Sequence, residues 1–370
     1  MSKLHQYMVV TGSYWVFTLT DGALRMLVVW DFHQLGSSAL AVASLFLLYE
    51  FCGLVTNLVG GWLGAHLGLN RTMQLGMVLQ IAALMMLTVD AEYLSVAYVI
   101  LAQALSGIAK DLNKMSAKSS IKLLVPEDAQ GTLYKWIALL TGSKNTLKGA
   151  GFFAGAALLA GVGFQGALWL LAVLLLLVFV ASLMLLRGEV GRSSFKPKFR
   201  DLFSKSEPVN ILSAARLCLF GARDVWFVVA LPVYLQSVLA WSHSQVGAFM
   251  AAWVVGYGLV QSCAPMLTGI KSGRVPDGLS ATKLALALTL LPLLIAAGLV
   301  VEWPQSWVLI VGLMVFGAVF ALNSAVHSYL IVAYAKADGV SLDVGFYYMA
   351  NAAGRLLGTL LSGAAYQMWG

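Results

Sequence analysis

Charge is what this sequence has least of. Asp, Glu, Lys and Arg make up 11% of its 370 residues, against about a quarter in a soluble globular chain. With 60% hydrophobic residues and a mean hydropathy of +0.84, the chain reads as a polytopic membrane protein. Alternating apolar and polar residues in short strand-length segments are also missing, so a membrane β-barrel is not indicated. Cysteine is scarce: Cys52, Cys218 and Cys263 stand singly in apolar runs and no CxxC pair occurs. Neither a zinc site nor a disulfide framework is therefore indicated, and no metal or other cofactor is expected. HExxH and GxSxG are absent, which leaves an intramembrane hydrolase without a visible catalytic motif. The stretch from Gly161 to Gly166 has GxGxxG spacing, but it follows an apolar helix rather than a strand, so no dinucleotide site is assigned to it. The start, MSKLHQYMVV, lacks a short apolar segment with a small-residue cleavage site, so the first helix is expected to be retained.

What is present is a succession of apolar runs long enough to cross a bilayer. Eleven spans are read, near 7–30, 39–64, 70–89, 93–118, 133–160, 165–186, 209–235, 244–268, 280–301, 305–334 and 342–369. Most connections are short. The longest, RGEVGRSSFKPKFRDLFSKSEP, is polar and basic with two prolines, and reads as a surface linker. It divides the chain into residues 1–187, a linker 188–208 and residues 209–370. Lys and Arg gather in alternate connections: Lys3, Arg71, Lys122, the linker, Lys271 with Arg274, and Lys336. The other connections hold none, and show Asp31, Asp90, Glu92 and Glu302 instead. The positive-inside rule then places the N-terminus and the linker in the cytoplasm. It also accounts for much of the net charge of +7 without a nucleic-acid partner.

A repeat runs through the chain at an offset of 203: Phe46 matches Phe249, Gly53 matches Gly256, Gly151 and Gly155 match Gly354 and Gly358, and Asp21 matches Asp224. The fourth and tenth spans align at an offset of 210, pairing Gly107 with Gly317 and Asn113 with Asn323. Two parallel six-helix repeats are the architecture of major facilitator transporters. An all-α fold of that kind is expected, with five spans in the second half and the twelfth helix missing from the sequence. The GxxxG spacings at Gly151–Gly155 and Gly354–Gly358 are expected to mark close helix packing.

Eleven ionisable groups fall well inside spans. The cations are Arg25, Lys110, Lys144, Lys148, Arg216, Arg223 and Arg355; the anions are Asp21, Glu50, Asp111 and Asp224. A charge facing lipid at mid-bilayer costs about 2.5–3.5 kcal/mol on insertion scales, so these groups should face polar space. Seven cations against four carboxylates leave an excess that pairing within the chain cannot neutralise, and an anionic small molecule is the natural partner. Arginine makes forked contacts with phosphate-like oxyanions and lysine acts as a point charge. Arg25 and Arg223, from the first helix of each half, are the expected clamp. Asp21 and Asp224 sit at equivalent repeat positions beside basic residues and are expected to pair structurally. Glu50 has no basic residue one helical turn away and is the better site for a coupling proton. Lys110, Lys114 and Lys118 form an i, i+4, i+8 stripe. Lys118 reads as snorkelling toward the helix end, Lys114 fits either reading, and Lys110 reads as buried. His327, Tyr347 and Tyr348 read as packed polar residues or as groups near a site.

GGWLGAHLGLNR, between the second and third spans, resembles the major facilitator loop motif G-x-L-a-D-r-x-G-r at Gly61, Leu63 and Gly68. Ala65 stands where that motif carries its acid, so the charge relay credited to it is not expected here. TLTDGALRMLVV, YEFCGLVTNLVGGWLG, GIAKDLNKMSAKSSIKLLVP, YKWIALLTGSKNTLKG, GARDVWFVVALP and SLDVGFYYMANAAGRLLGTLLSG together resemble the ArsJ-type organoarsenical efflux permeases. That resemblance implies export of 1-arseno-3-phosphoglycerate, made when glyceraldehyde-3-phosphate dehydrogenase uses arsenate in place of phosphate. It thus implies arsenate resistance, a functional link to that dehydrogenase, and a carrier that acts as a monomer. Its members normally have a twelfth helix. A phosphate or sugar-phosphate carrier of the same fold stays open as the alternative.

Overall fold

The structure is a computed structural model describing residues 3–34, 47–186 and 188–369, apart from 189, 196, 204, 269–274 and 302. Among the described residues it holds helices and no strand. In chain order they are α1 Lys3–Gln34, α2 Leu47–Leu67, α3 Leu69–Met86, α4 Val96–Leu124, α5 Gln130–Leu185, α6 Glu207–Phe227, α7 Ala230–Ser237, α8 His243–Leu267, α9 Gly278–Val300, α10 Gln305–Tyr334 and α11 Val340–Trp369. The fifth and sixth spans form the single run α5, interrupted at Gly163, where φ of +71° is open to glycine at little cost. The seventh span is divided between α6 and α7. The beginning of the second span, residues 39–46, lies outside the described residues, as do the side chains of Asp31 and Glu50.

Helix limits have local causes. Ser95 caps α4 by accepting from the Tyr98 amide, and Pro126 follows the end of that helix. Ser242 with Gln245 and Asp277 with Ser280 form capping boxes at α8 and α9. Among the described residues, five helical runs are apolar and long enough to cross a membrane by composition alone: Gln130–Leu185, Glu207–Ser237, Gln245–Leu267, Gly278–Val300 and Gln305–Tyr334. The long helices α1, α4 and α11 fall outside that group, and they carry Asp21 and Arg25, the lysine stripe with Asp111, and Arg355.

The chain groups into two compact units, each drawing on both halves of the sequence. Unit one comprises residues 1–126, 147–213 and 334–352; unit two comprises 127–146, 214–333 and 353–370. In unit one, α4 packs against α1, α2 and α3. Unit two is cored by aromatics of α6, α8 and α10. Trp226 lies edge-on to Trp253 and Phe316, and Tyr257 stacks on Trp253 at 5.7 Å.

Small residues carry the closest crossings. In unit one a Cβ on Gly345 of α11 would sit 2.5 Å from the Asn57 carbonyl and 2.9 Å from Gly61 Cα of α2. In unit two a Cβ on Gly142 of α5 would sit 2.6 Å from the Gly258 carbonyl of α8. Gly142 and Gly345 are 203 residues apart, the offset of the repeat, so the same device appears once in each unit. Gly151 and Gly155 abut Leu19 and Ala23 of α1, and Gly354 and Gly358 abut Leu217 and Gly221 of α6. Both GxxxG pairs therefore mark close packing.

The linker is fastened to the helix ends rather than loose. Val190 accepts from the Leu69 amide, Ser193 donates to the Ala65 carbonyl, and Trp62 Nε1 donates to the Pro197 carbonyl at 2.9 Å. Leu202 is fully buried against Ala65 and Leu342. Lys205 is buried 3.6 Å from the Asp343 carboxylate; burial lowers its ammonium below the usual lysine range and Asp343 partly offsets this. The loop between α2 and α3 is thus held by backbone bonds and by Ser341, whose hydroxyl donates to the Gly61 carbonyl at 2.7 Å.

Candidate functional site

Two clusters of buried charge stand out, one in each unit. In unit one α4 supplies most of it. One carboxylate, Asp111, accepts from Lys114 Nζ at 2.5 Å and has Lys110 Nζ at 3.9 Å. Gly53 of α2 makes room for it, since a Cβ there would lie 2.6 Å from Asp111 Oδ2. Lys118 Nζ donates to the Tyr348 hydroxyl, and both Lys114 and Lys118 lie within 5 Å of the Tyr348 ring centre. This places a phenol of α11 against two lysines of α4, an arrangement favourable to the cations. Asp21 is buried on α1 and accepts from Ser106 at 3.4 Å. Arg25 and Lys148 are half-buried on α1 and α5.

The snorkelling reading of Lys118 is corrected by this geometry. Lys114 and Lys118 are 7% and 2% exposed, because α4 continues to Leu124, nearly two turns beyond the end read from hydropathy. Only a cation with nearby carboxylate, hydroxyl or π partners is tolerated at such depth.

In unit two Asp224 of α6 is wholly buried and shared by two arginines. Arg223 reaches one carboxylate oxygen through Nε at 2.6 Å and Nη2 at 2.5 Å. Arg355 of α11 donates to the other at 3.3 Å. Asp224 thus forms ion pairs with arginines of two helices, α6 and α11. Phe220 lies between two guanidinium groups, with Arg216 at 4.0 Å and Arg223 at 4.6 Å from its ring centre. The structure thus brings Arg216, Arg223, Asp224 and Arg355 together. Lys144 is half-buried on α5.

A polar group that the sequence did not single out adjoins Arg216. Ser324 of α10 accepts from Arg216 Nη1 at 3.0 Å and Gln261 Nε2 at 3.1 Å, and shares a hydrogen bond with the Tyr257 hydroxyl at 2.9 Å. Gln261 in turn accepts from Asn145 of α5 at 2.9 Å. The signal that marks it is the repeat: Ser324 stands 210 residues after Lys114, so the two halves place polar anchors at the same point of equivalent helices. Among the described residues no group of His, Cys, Asp and Glu has the make-up of a metal site.

The sequence matches the Major Facilitator Superfamily model over residues 10–228. No curated protein matches it significantly. Among solved structures, the human organic anion transporter MFSD10 (TETRAN) superposes with a TM-score of 0.74 at 15% identity, covering 100% of this chain and 95% of its own. The fucose–proton symporter FucP of Escherichia coli gives 0.72 at 11%, covering 99% and 98%. A bacterial homologue of the iron transporter ferroportin, in its outward-facing state with soaked iron, gives 0.69 at 16%, covering 97% and 92%. At such identities these likenesses establish the fold alone. The helices, the repeat and a family match over more than half its length agree: this chain belongs to the Major Facilitator Superfamily of membrane transporters.

Proposed function

We propose that this transporter exports a phosphorylated organoarsenical anion, 1-arseno-3-phosphoglycerate, from the cytoplasm by alternating access, and so confers resistance to arsenate. The observation that carries the reading is the charge balance of unit two. Its spans hold Lys144, Arg216, Arg223 and Arg355 against one carboxylate, Asp224. Unit one repeats the bias with Arg25, Lys110, Lys114, Lys118 and Lys148 against Asp21 and Asp111 among the described residues. Cations of this number at bilayer depth are costly unless a multiply charged anion joins them. Three arginines in one cluster suit tetrahedral oxyanions, which accept forked hydrogen bonds. The cargo's phosphate and arsenate groups are of that kind. The arsenic is pentavalent and bound through oxygen, so the lone cysteines are no obstacle. The arsenical itself is supported by the resemblance to ArsJ-type permeases. The human structure named as an organic anion transporter is compatible with the ligand class.

Everted membrane vesicles supplied with arsenate, glyceraldehyde-3-phosphate dehydrogenase and its substrate test the reading. They are expected to accumulate arsenic only when carrier and dehydrogenase are both present. Failure to accumulate arsenic while phosphate exchange proceeds would replace this reading with that of a phosphate carrier. In cells, Arg25→Ala and Arg223→Ala should abolish arsenate resistance at unchanged membrane levels. Glu50→Gln should abolish pH-driven transport and leave substrate binding intact, since Glu50 is the group assigned to proton coupling.

A further inference from the structure

Ser324 is the hub of a saturated set of hydrogen bonds. A serine hydroxyl has two lone pairs and one hydrogen; Arg216 and Gln261 donate to the lone pairs, and the Ser324 and Tyr257 hydroxyls share the third bond. Gln261 in turn accepts from Asn145. Beside this hub on α10, Asn323 is fully buried and neither its amide nitrogen nor its oxygen has a hydrogen-bond partner. One turn further, His327 is 3% exposed and its Nδ1 also has none. Buried polar atoms in this state cost stability unless something bonds to them. The hub includes the buried Arg216 guanidinium. A small anionic group with acceptor oxygens would answer both that charge and the unused Asn323 amide donor.

We propose that Asn323, Ser324 and His327 of α10, with Arg216 of α6 and Tyr257 and Gln261 of α8, form a buried subsite for one tetrahedral oxyanion group of the cargo. It rests on the reading of this chain as an anion carrier and does not require the arsenical. Arg216 provides the charge. The Asn323 amide and, in its Nδ1–H tautomer, the His327 imidazole provide donors not used elsewhere, and Ser324 holds the Arg216 guanidinium in place. The amide and imidazole select by geometry, which a point charge does not.

The test uses purified full-length protein in phospholipid-free detergent, with inorganic phosphate and 3-phosphoglycerate as probes. Wild-type protein is expected to bind both, and Asn323→Ala and Ser324→Ala to raise each Kd about tenfold, the loss expected for one hydrogen bond to a charged group. Unchanged affinities in both variants would overturn the subsite and leave the anion-carrier reading standing. No binding of either probe to wild type would remove both. Should those variants fail to fold, replacing His5, His33, His66 and His243 by Gln leaves His327 as the one histidine of the five in the chain. Its imidazole nitrogen resonances should move on adding phosphate, and their constancy at saturating phosphate would overturn the subsite.

Discussion

Asp224 ties two helices of unit two together. It is wholly buried and holds Arg223 and Arg355, from two helices, on opposite oxygens. Removing one partner of a buried pair leaves uncompensated charge, at a cost of about 3–5 kcal/mol. Asp224→Asn should therefore lower thermal stability in detergent strongly, and Arg223→Gln in the same chain should recover part of the loss. A double-mutant cycle on melting temperatures measures the coupling; additive effects would show that the pair is not coupled. The sequence made this pairing legible because Asp224 adjoins Arg223 and repeats Asp21. The Ser324 hub was not legible, because its partners lie 63 to 108 residues from Ser324 and are uncharged apart from Arg216. Pattern reading finds charges in apolar runs, since they stand out there, but Ser, Tyr and Gln do not.

Among helices, backbone contact separates glycines that matter from those that do not. A side chain on Gly345 would enter the Asn57 and Gly61 backbone of α2, which cannot move aside as a flexible side chain can. Gly345→Leu should destabilise by at least the roughly 1–3 kcal/mol typical of overpacking, about as much as Gly142→Leu at the matching crossing. At Gly12 and Gly363 a Cβ would meet nothing within 4 Å, and Gly→Ala there should be neutral or stabilising in the same melting assay. The GxxxG pairs were legible as packing signals, whereas the partner of Gly345 was not, because a lone glycine in a helix does not say what it touches. Helix ends shifted for a related reason. Hydropathy ends a span where charge begins, but α4 runs on past its lysines because Asp111 and Tyr348 accommodate them.

The same scale governs how the linker is held. Ser194 donates through its amide and its hydroxyl to Asp338, just before α11, and holds that carboxyl below the ordinary 3.8. A carboxyl with a lowered folded-state value adds stability above its ordinary value and loses it as the pH falls through the lowered one. The linker should therefore stay protected near neutrality and open below about pH 4, where the unfolded-state carboxyl begins to bind a proton. Asp338→Asn should make residues 190–195 accessible already at pH 7. Hydrogen exchange of those amides measures both effects. Equal protection of wild type and Asp338→Asn at pH 7 would show that other linker contacts suffice.

For the whole molecule, the distribution of Lys and Arg makes a statement about direction that hydrogen bonds do not. Among the described residues, most spans were legible to within a few residues because a bilayer demands long apolar runs whatever their neighbours do. Orientation rests on flanking charge alone. The linker carries six Lys and Arg residues between 187 and 205, while the connection 301–304 carries none. Ser206 precedes α6 and Gln305 begins α10, and both are exposed, so each accepts a cysteine without disturbing a core. With Cys52, Cys218 and Cys263 replaced by serine and the protein expressed in Escherichia coli, Ser206→Cys should react with an impermeant maleimide only after the host's membrane is opened or everted. Gln305→Cys should react from the outer face of intact spheroplasts. The reverse pattern would turn the carrier over. Cargo made in the cytoplasm would then meet the opposite face of the molecule, and the export assay in everted vesicles would have to be read in the other direction. Labelling therefore comes before transport: it fixes which face loads, and only then does accumulation in vesicles distinguish an exporter from an exchanger.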